Sequence, residues 1–325
     1  MGIPLLASIP PQIRGEPFNN QAQDSFQARI LASWFAAGFQ PVSINTRQEF
    51  DANPGFEEAL ENAGVSVLSV EPSKEGFPDY LPNLLSLLGA ACQRFPDQPI
   101  AITNADIHIS LTEASQRILH QLDTNLFLLA HRCDVSSMSE LVAITDLPDP
   151  RQALVPYNSG IDFIAFHSSL VPRVHLLLSS ELTIGLPWWD LILPLALQAI
   201  GLKRLHLDAS QFLHLNHTER WSWEFFDRIG RSSTQHLSDA IQANPRVSEL
   251  ALSWFVSYRQ MTALRFALGP KDLIRRLLFR HHRFPGPIAR PTLFAVAAIS
   301  ESFVMNPLLL RQVGCGAGGP KSPSA

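Results

Sequence analysis

Cysteine is scarce in this chain: three among 325 residues, Cys92, Cys133 and Cys315, an odd number that shares no metal-type spacing. Neither a disulfide framework nor a zinc site is indicated, and a reducing compartment is the simplest reading. A long hydrophobic run is missing as well. The most apolar window, Ile184 to Leu202, is interrupted by Pro187, Asp190, Pro194 and Gln198. If Pro187 starts a helix, 15 residues remain from Trp188 to Leu202, short of the roughly 20 that a membrane span needs, and a central Asp adds a penalty of about 3 kcal/mol. The window reads as a core helix. The first residues show neither the basic segment nor the apolar core of a secretory signal, and Leu6 stands where myristoylation requires Ser or Thr. A cytoplasmic protein is expected.

Positive charge is short over most of the chain. Residues 1–202 hold 9 Lys+Arg against 21 Asp+Glu, whereas residues 203–325 hold 16 against 8. Two regions with different surroundings are implied. The acidic one is a poor candidate for nucleic acid and better suits a metal or a metal-complexed anion.

What is present is a large apolar fraction, 46% hydrophobic, enough for one large core or one core with an appended unit. Leu5 to Ile9 reads as a first strand, followed by a loop from Pro10 to Asn20 that carries Arg14 and Glu16. Phe26, Ile30, Leu31, Trp34 and Phe35 recur at helical spacing before a stop at Gly38. Pro41 to Asn45 is a second strand, Phe56 to Ala63 a short helix closed by Gly64, and Val65 to Val70 a third strand. Leu81 to Phe95 is amphipathic, with Leu84, Leu85, Leu88, Cys92 and Phe95 on its apolar side. Ser110 to Glu113 has the form of a capping box for a helix to about Leu122. Asn125 to Ala130 and Gly160 to His167 are further strands. Alternation of strand and helix from the start predicts an α/β layered domain with a mostly parallel, Rossmann-like sheet.

The most informative stretch is Ile100 to Ile109, which reads as one buried strand containing polar residues. Asn104 and Asp106 would point to the same side of it, and Asp106 would be costly to bury unpaired. In such a domain ligands bind outside the carboxyl ends of the strands. Ser8, Asn45, Glu71 and the segment Asn104 to Asp106 all fall near predicted strand ends and would line one crevice, although each is also a residue type that satisfies turns.

Two later features carry chemistry. Ile184-Gly-Leu-Pro-Trp-Trp-Asp190 places Asp190 at a helix start, where the macrodipole favours an anion; a general base, an acceptor-hydroxyl ligand and a plain cap all suit that place. Phe212 to Trp221 holds His214 and His217, which face opposite ways in a strand and so do not chelate as a pair, though either one could join a metal completed from elsewhere.

Together Ala7-Ser-Ile-Pro10, Asn104-Ala-Asp106, Ile184 to Asp190 and His214-Leu-Asn-His217 resemble a bacterial glycosyltransferase of the GT-A, nucleotide-diphospho-sugar transferase type, over roughly residues 4 to 225. The resemblance implies that Asn104 and Asp106 stand at the metal and diphosphate motif of a nucleotide-sugar site, and Ser8, Arg14, Asn45, Glu71, Trp188 and Trp189 are the other residues expected to line it. It implies Mn²⁺ or Mg²⁺ at Asn104 and Asp106 with His217 or His214, and Asp190 as the catalytic carboxylate. Asn104 departs from the acidic residue expected there, which removes one negative charge. A unit-charge pair at ~4 Å is worth about 4 kcal/mol at an effective dielectric near 20, so Asp106 alone would hold a metal weakly until the nucleotide arrives. A base on the far face of an oxocarbenium-like carbon would give inversion. The expected partners are a nucleotide-diphosphate sugar and a glycan, lipid or protein acceptor, with no nucleic acid.

The expected domains are 1–230 for catalysis, 231–313 as a helical basic region and 314–325 as a Gly-, Pro- and Ser-rich disordered tail. Arg275, Arg276, Arg280 and Arg283 among apolar residues of 271–283 suit a helix covering the core or a peripheral contact at the inner membrane face. A catalytically silent sugar- or nucleotide-binding or assembly protein is the alternative that Asn104 favours. A nucleotidyltransferase ranks last, because Pro10 to Gly15 has only Arg14 and no Gly-rich cradle.

Overall fold

Ile3–Ala7 (β1) is five consecutive residues with no exposed face. A strand buried on both sides belongs in the middle of a parallel sheet with helices on each side, and that is where a computed structural model of the chain places it. The structure describes residues 2–13, 16–18, 25–73, 76–145, 154, 156–157, 161–216 and 223–243. The chain divides into Met1–Leu252 and Ser253–Ala325, and every described residue lies in the first of these units. Arg14, His217, the basic stretch 271–283 and the tail lie outside the described residues, as does all of the expected helical region beyond residue 243.

A two-strand ribbon follows β1, formed by Gln12–Ile13 (β2) and Glu16–Pro17 (β3). Helix α1 (Phe26–Ala36) is capped by Ser25, whose hydroxyl accepts from the Ala28 N–H, and it ends before Gly38 at φ +86°, a conformation that glycine adopts freely. Phe26, Ile30 and Trp34 line its buried face, while Phe35, expected with them, is one step round the helix and largely exposed. Then come β4 (Phe39–Thr46), α2 (Arg47–Ala52), α3 (Phe56–Asn62), β5 (Ser66–Val70) and α4 (Leu84–Arg94). In α4 the buried row is Leu84, Leu87, Leu88 and Ala91, rotated from the expected one that included Leu85 and Cys92.

The second half supplies β6 (Pro99–Thr103), β7 (Ile107–Ile109), α5 (Glu113–His120), β8 (Leu126–Ala130), β9 (Arg132–Val135), α6 (Met138–Thr145), β10 (Pro156–Tyr157) and β11 (Phe163–His167). It closes with α7 (Val171–His175), α8 (Trp189–Ala199), β12 (Lys203–His206), β13 (Phe212–Leu215) and α9 (Trp223–Ala243). The cap of α5 is Thr112, not Ser110 as the capping-box pattern suggests.

The main sheet has seven strands in the order β12-β8-β11-β6-β1-β4-β5. All run parallel except β11, which is antiparallel to both β6 and β8. The expected layered α/β architecture with a mostly parallel sheet is therefore present. Helix α8, from the most apolar window, is a buried core helix of 11 residues. Among the described residues no helix is long and apolar enough to cross a membrane.

One expectation is overturned in a way that matters for function. Ile100 to Ile109 is not a single strand: β6 ends at Thr103, Asn104 to Asp106 form a turn, and β7 enters a second sheet of order β10-β9-β13-β7. Polar side chains with no partner would be costly inside the main sheet; in the turn each finds one. Helix α1 holds the outer edge of β7, since Trp34 Nε1 donates to the Ile107 carbonyl at 2.7 Å and the Ile109 N–H donates to Ser33 Oγ at 3.1 Å. Backbone groups that would otherwise lie unpaired on an edge strand are thus satisfied. Phe163 of β11 and Phe212 of β13 pack with ring centroids 4.8 Å apart, joining the two sheets around the turn.

Candidate functional site

Because β1, β4, β5 and β6 run parallel, their carboxyl ends, at Ala7, Thr46, Val70 and Thr103, lie along one edge. Ser8, Asn45, Glu71 and the 104–106 turn are all at that edge. Their surroundings differ. Ser8 is half-buried and Glu71 exposed. Asn45 is fully buried and its amide is fully used: Oδ1 accepts from Ser43 Oγ at 2.6 Å, and Nδ2 donates to the Ile9 carbonyl at 2.7 Å and to Glu49 Oε2 at 2.8 Å. Asn45 therefore fixes the segment after β1 to β4. Burial raises the Glu49 carboxyl to about 7, with the Asn45 bond working against the rise.

The turn residues enter a chain of charged groups. Asn104 Nδ2 donates to Asp162 Oδ1 at 2.7 Å, and Arg132 Nη1 donates to the same oxygen at 3.0 Å. Arg132 Nε donates to Asp134 Oδ1 at 2.9 Å. That oxygen also meets His214 Nδ1 at 2.9 Å, and His214 Nε2 lies 3.3 Å from Asp106 Oδ2. The strands explain the assembly. Asp162 immediately precedes β11, where Thr103 pairs with Phe163 and Thr103 Oγ1 donates to the Asp162 carbonyl. Arg132 and Asp134 alternate along β9, and His214 of β13 is in parallel register with Asp134.

Both His214 nitrogens face carboxylates, which requires both to carry protons. Burial works to lower the imidazole, but Asp106 and Asp134 outweigh it and raise it to about 9. Burial works to raise Asp134, and His214 with Arg132 more than offsets it, leaving this carboxyl below its usual range. As placed, His214 bridges Asp134 and Asp106 through its two ring nitrogens.

Asp190 is in the first turn of α8 and accepts the Ile161 N–H on Oδ2 at 3.3 Å. Burial, and then the negative charge of Asp162, raise its carboxyl to about 7. Asp190 is thus coupled to the group that Asn104 and Arg132 hold. The two tryptophans before it are core residues: Trp188 and Trp189 are 3% and 2% exposed, and neither offers an open ring face. Trp188 takes a left-handed backbone at φ +85°, donates Nε1 to the Phe226 carbonyl at 2.7 Å and packs on the Phe226 ring. It anchors the start of α8 to α9. A Cβ on Gly230 would fall 2.5 Å from Trp188 Cε2. Gly230→Ala is expected to cost about 1–3 kcal/mol in chemical denaturation and to lower whatever activity depends on Asp190, since the two are joined through the α8 cap.

The residues fit a divalent cation by the chemistry of their donors. Four carboxyl groups, Asp106, Asp134, Asp162 and Asp190, face two cations, Arg132 and His214. Asp162 Oδ2 is buried and accepts no hydrogen bond among the described residues. No group of three His, Cys, Asp or Glu side chains among the described residues forms a protein-only cage, which Mg²⁺ and Mn²⁺ do not need when substrate phosphates complete the shell.

Asp162, Arg132 and Asp134 are absent from the expected site. Asp162 carries the same signal that marks Asp106, a carboxylate beside a run of apolar strand residues, Phe163 to Phe166. Arg132-Cys-Asp-Val135 shows the two-residue alternation of a strand with one polar face.

No protein-family model matches the chain, and no curated protein matches it in sequence. Among solved structures it is similar to the mannosyltransferase PcManGT from Pyrobaculum calidifontis in complex with GDP-Man and Mn²⁺, with TM-score 0.44 and 11% identity, covering 93% of this chain and 86% of that one. It is also similar to 4-diphosphocytidyl-2C-methyl-D-erythritol synthase from Anaerococcus prevotii, with TM-score 0.37 and 9% identity, covering 71% and 96% respectively. Likenesses at these scores carry no conclusion about activity.

Proposed function

We propose that the chain is a GT-A-like transferase that binds a nucleotide-diphosphate sugar at the carboxyl edge of its main sheet and passes the sugar to an acceptor. One observation carries this reading. Asn104, Asp106 and His214, distant in sequence, belong to one chain of contacts running through Asp162, Arg132 and Asp134, and the charge of Asp162 reaches Asp190. The strand edge is where α/β sheets bind ligands, and the donor set suits a hard cation.

Mn²⁺ or Mg²⁺ bound at the oxygens of the 104–106 turn would neutralise the charge that develops on a departing diphosphate. The protein's own groups do the rest. Asp190, raised to about 7, is poised near neutral pH to accept the acceptor's hydroxyl proton, and the Ile161 N–H orients the carboxylate that does so. Such a base, acting on the face opposite the leaving group, gives an inverted product. Arg132 and His214 fix Asp134 and Asp106 in place, so the edge is ordered before donor arrives. Ser8 and Glu71 are the remaining edge residues proposed to meet the nucleotide.

Binding without turnover is a second reading, favoured by the neutral Asn104 and by the charge of Asp106 being met by His214. In both, UDP or GDP with Mn²⁺ is expected to raise the melting temperature by several degrees at ligand concentrations about 100-fold above Kd, and Asp106→Asn is expected to shrink the shift. No shift with any nucleotide contradicts both. A shift without donor consumption across a broad acceptor panel selects the second.

A further inference from the structure

Asp162 is 3% exposed. Its Oδ1 is used twice, by Asn104 and Arg132, while its Oδ2 is buried without a donor among the described residues. An unsatisfied buried carboxylate oxygen is among the most costly groups a fold can hold. Asp190 feels the Asp162 charge, yet no hydrogen bond joins the two carboxyl groups among the described residues. Asn104 spends Nδ2 on Asp162, which leaves its Oδ1 as an acceptor with no protein donor among the described residues. Asp106 is met by the His214 imidazolium. Both carboxylates meet a cation, Asp162 through Oδ1 and Asp106 through Oδ2, and what is left without a donor is Asp162 Oδ2, with Asn104 Oδ1 beside that carboxylate.

We propose that Asp162 is the principal protein ligand of a divalent cation, with Asn104 Oδ1 beside it, and that Asp106 serves to hold His214. Hard oxygen donors of this kind, one carboxylate and one amide carbonyl with the remaining positions open, suit Mg²⁺ or Mn²⁺ completed by water and phosphate. Asn104 then needs no negative charge of its own, because Asp162 supplies it. The proposal deepens the donor-site reading and rests on it for the role of the cation, but not for the cation's location.

The test is direct Mn²⁺ binding to the full chain, read by the electron paramagnetic resonance signal of free Mn²⁺, in wild type, Asp162→Asn and Asp106→Asn. Asp162→Asn is expected to weaken Mn²⁺ binding by about tenfold or more, and Asp106→Asn by a clearly smaller factor. The reverse order, equal effects, or no Mn²⁺ binding by the wild type overturns the proposal. Should Asp162→Asn fail to fold, paramagnetic broadening in the wild type decides. The amides of Asn104 and Phe163 are expected to broaden at lower Mn²⁺ than those of Leu213 to Leu215, and the opposite order overturns the assignment. Binding of UDP and GDP in EDTA is measured on the same samples. Nucleotide binding with misplaced or absent Mn²⁺ rejects this ligand assignment and leaves the donor site standing, whereas Mn²⁺ at Asp162 without nucleotide binding does the reverse.

Discussion

His214→Gln is expected to destabilise the protein by about 3 kcal/mol at pH 6 and to remove most of its loss of stability between pH 7 and 9. His214 is buried and touches Asp134 at 2.9 Å and Asp106 at 3.3 Å through its two nitrogens. Glutamine can donate to one of these carboxylates but brings no charge. Removing His214 takes a buried cation away from Asp106 and from Asp134, although Asp134 keeps Arg132, and the cost therefore exceeds that of an exposed ion pair. The pH dependence follows from the direction of the shift. The folded imidazole titrates at about 9, above its ordinary value of 6.5, so the folded state binds the proton more tightly than the unfolded one. Its contribution is fully present below about 6.5 and is lost as pH rises towards 9. Urea denaturation of wild type and variant at pH 6, 7.5 and 9 measures this. Equal slopes of stability against pH in the two proteins would show that His214 is neutral in the fold.

Asp190→Asn has the opposite pattern: transfer falls by about 10²–10⁴-fold while stability at pH 8 rises by about 2–4 kcal/mol. The carboxyl titrates near 7 in the folded protein against an ordinary 3.8. A raised carboxyl value means that ionisation disfavours the folded state. Stability from this group is greatest below about 4, declines as pH rises to about 7, and stays lost above it. Asparagine carries no charge to desolvate and still offers an oxygen to the Ile161 N–H. On the proposed reading the carboxylate stands there at that cost because it serves as the base. If the variant keeps its turnover and loses stability at every pH, Asp190 is an ordinary helix cap.

The periodic parts of this fold were legible because helix and strand write their periods into the sequence. β1, β4, β5, β8 and β11 follow from apolar runs, and α1, α4 and α8 from faces of large apolar residues. The misses share a cause. Phe35, Leu85 and Cys92 are apolar residues next to a buried face, and composition does not say on which side of it they fall. The break at Asn104 was hidden because Ile102 and Ile107 are both fully buried, so the flanking hydrophobicity reads as continuous although it serves two different sheets. Asp106 and Asp190 stood out as carboxylates among apolar neighbours. Asp162 has the same setting, but its importance lies in its partners, Asn104 and Arg132, which the antiparallel pairing of β11 with β6 brings near. Arg132 and Asp134 read as the polar face of an ordinary strand until β13 sets His214 beside them. The tryptophans show the converse: Trp188 and Trp189 are expected at the nucleotide-sugar site, and in the structure both are buried, with Trp188 anchoring the start of α8.

Hydrogen–deuterium exchange of the full chain with UDP or GDP and Mn²⁺ tests most directly whether the carboxyl edge is a nucleotide-sugar site, because it reports binding and its location together. Exchange is expected to slow in peptides covering residues 5–10, 103–109 and 161–167, and this protection is expected to diminish in Asp106→Asn. Protection confined to other segments, or none with any nucleotide, would contradict the assignment.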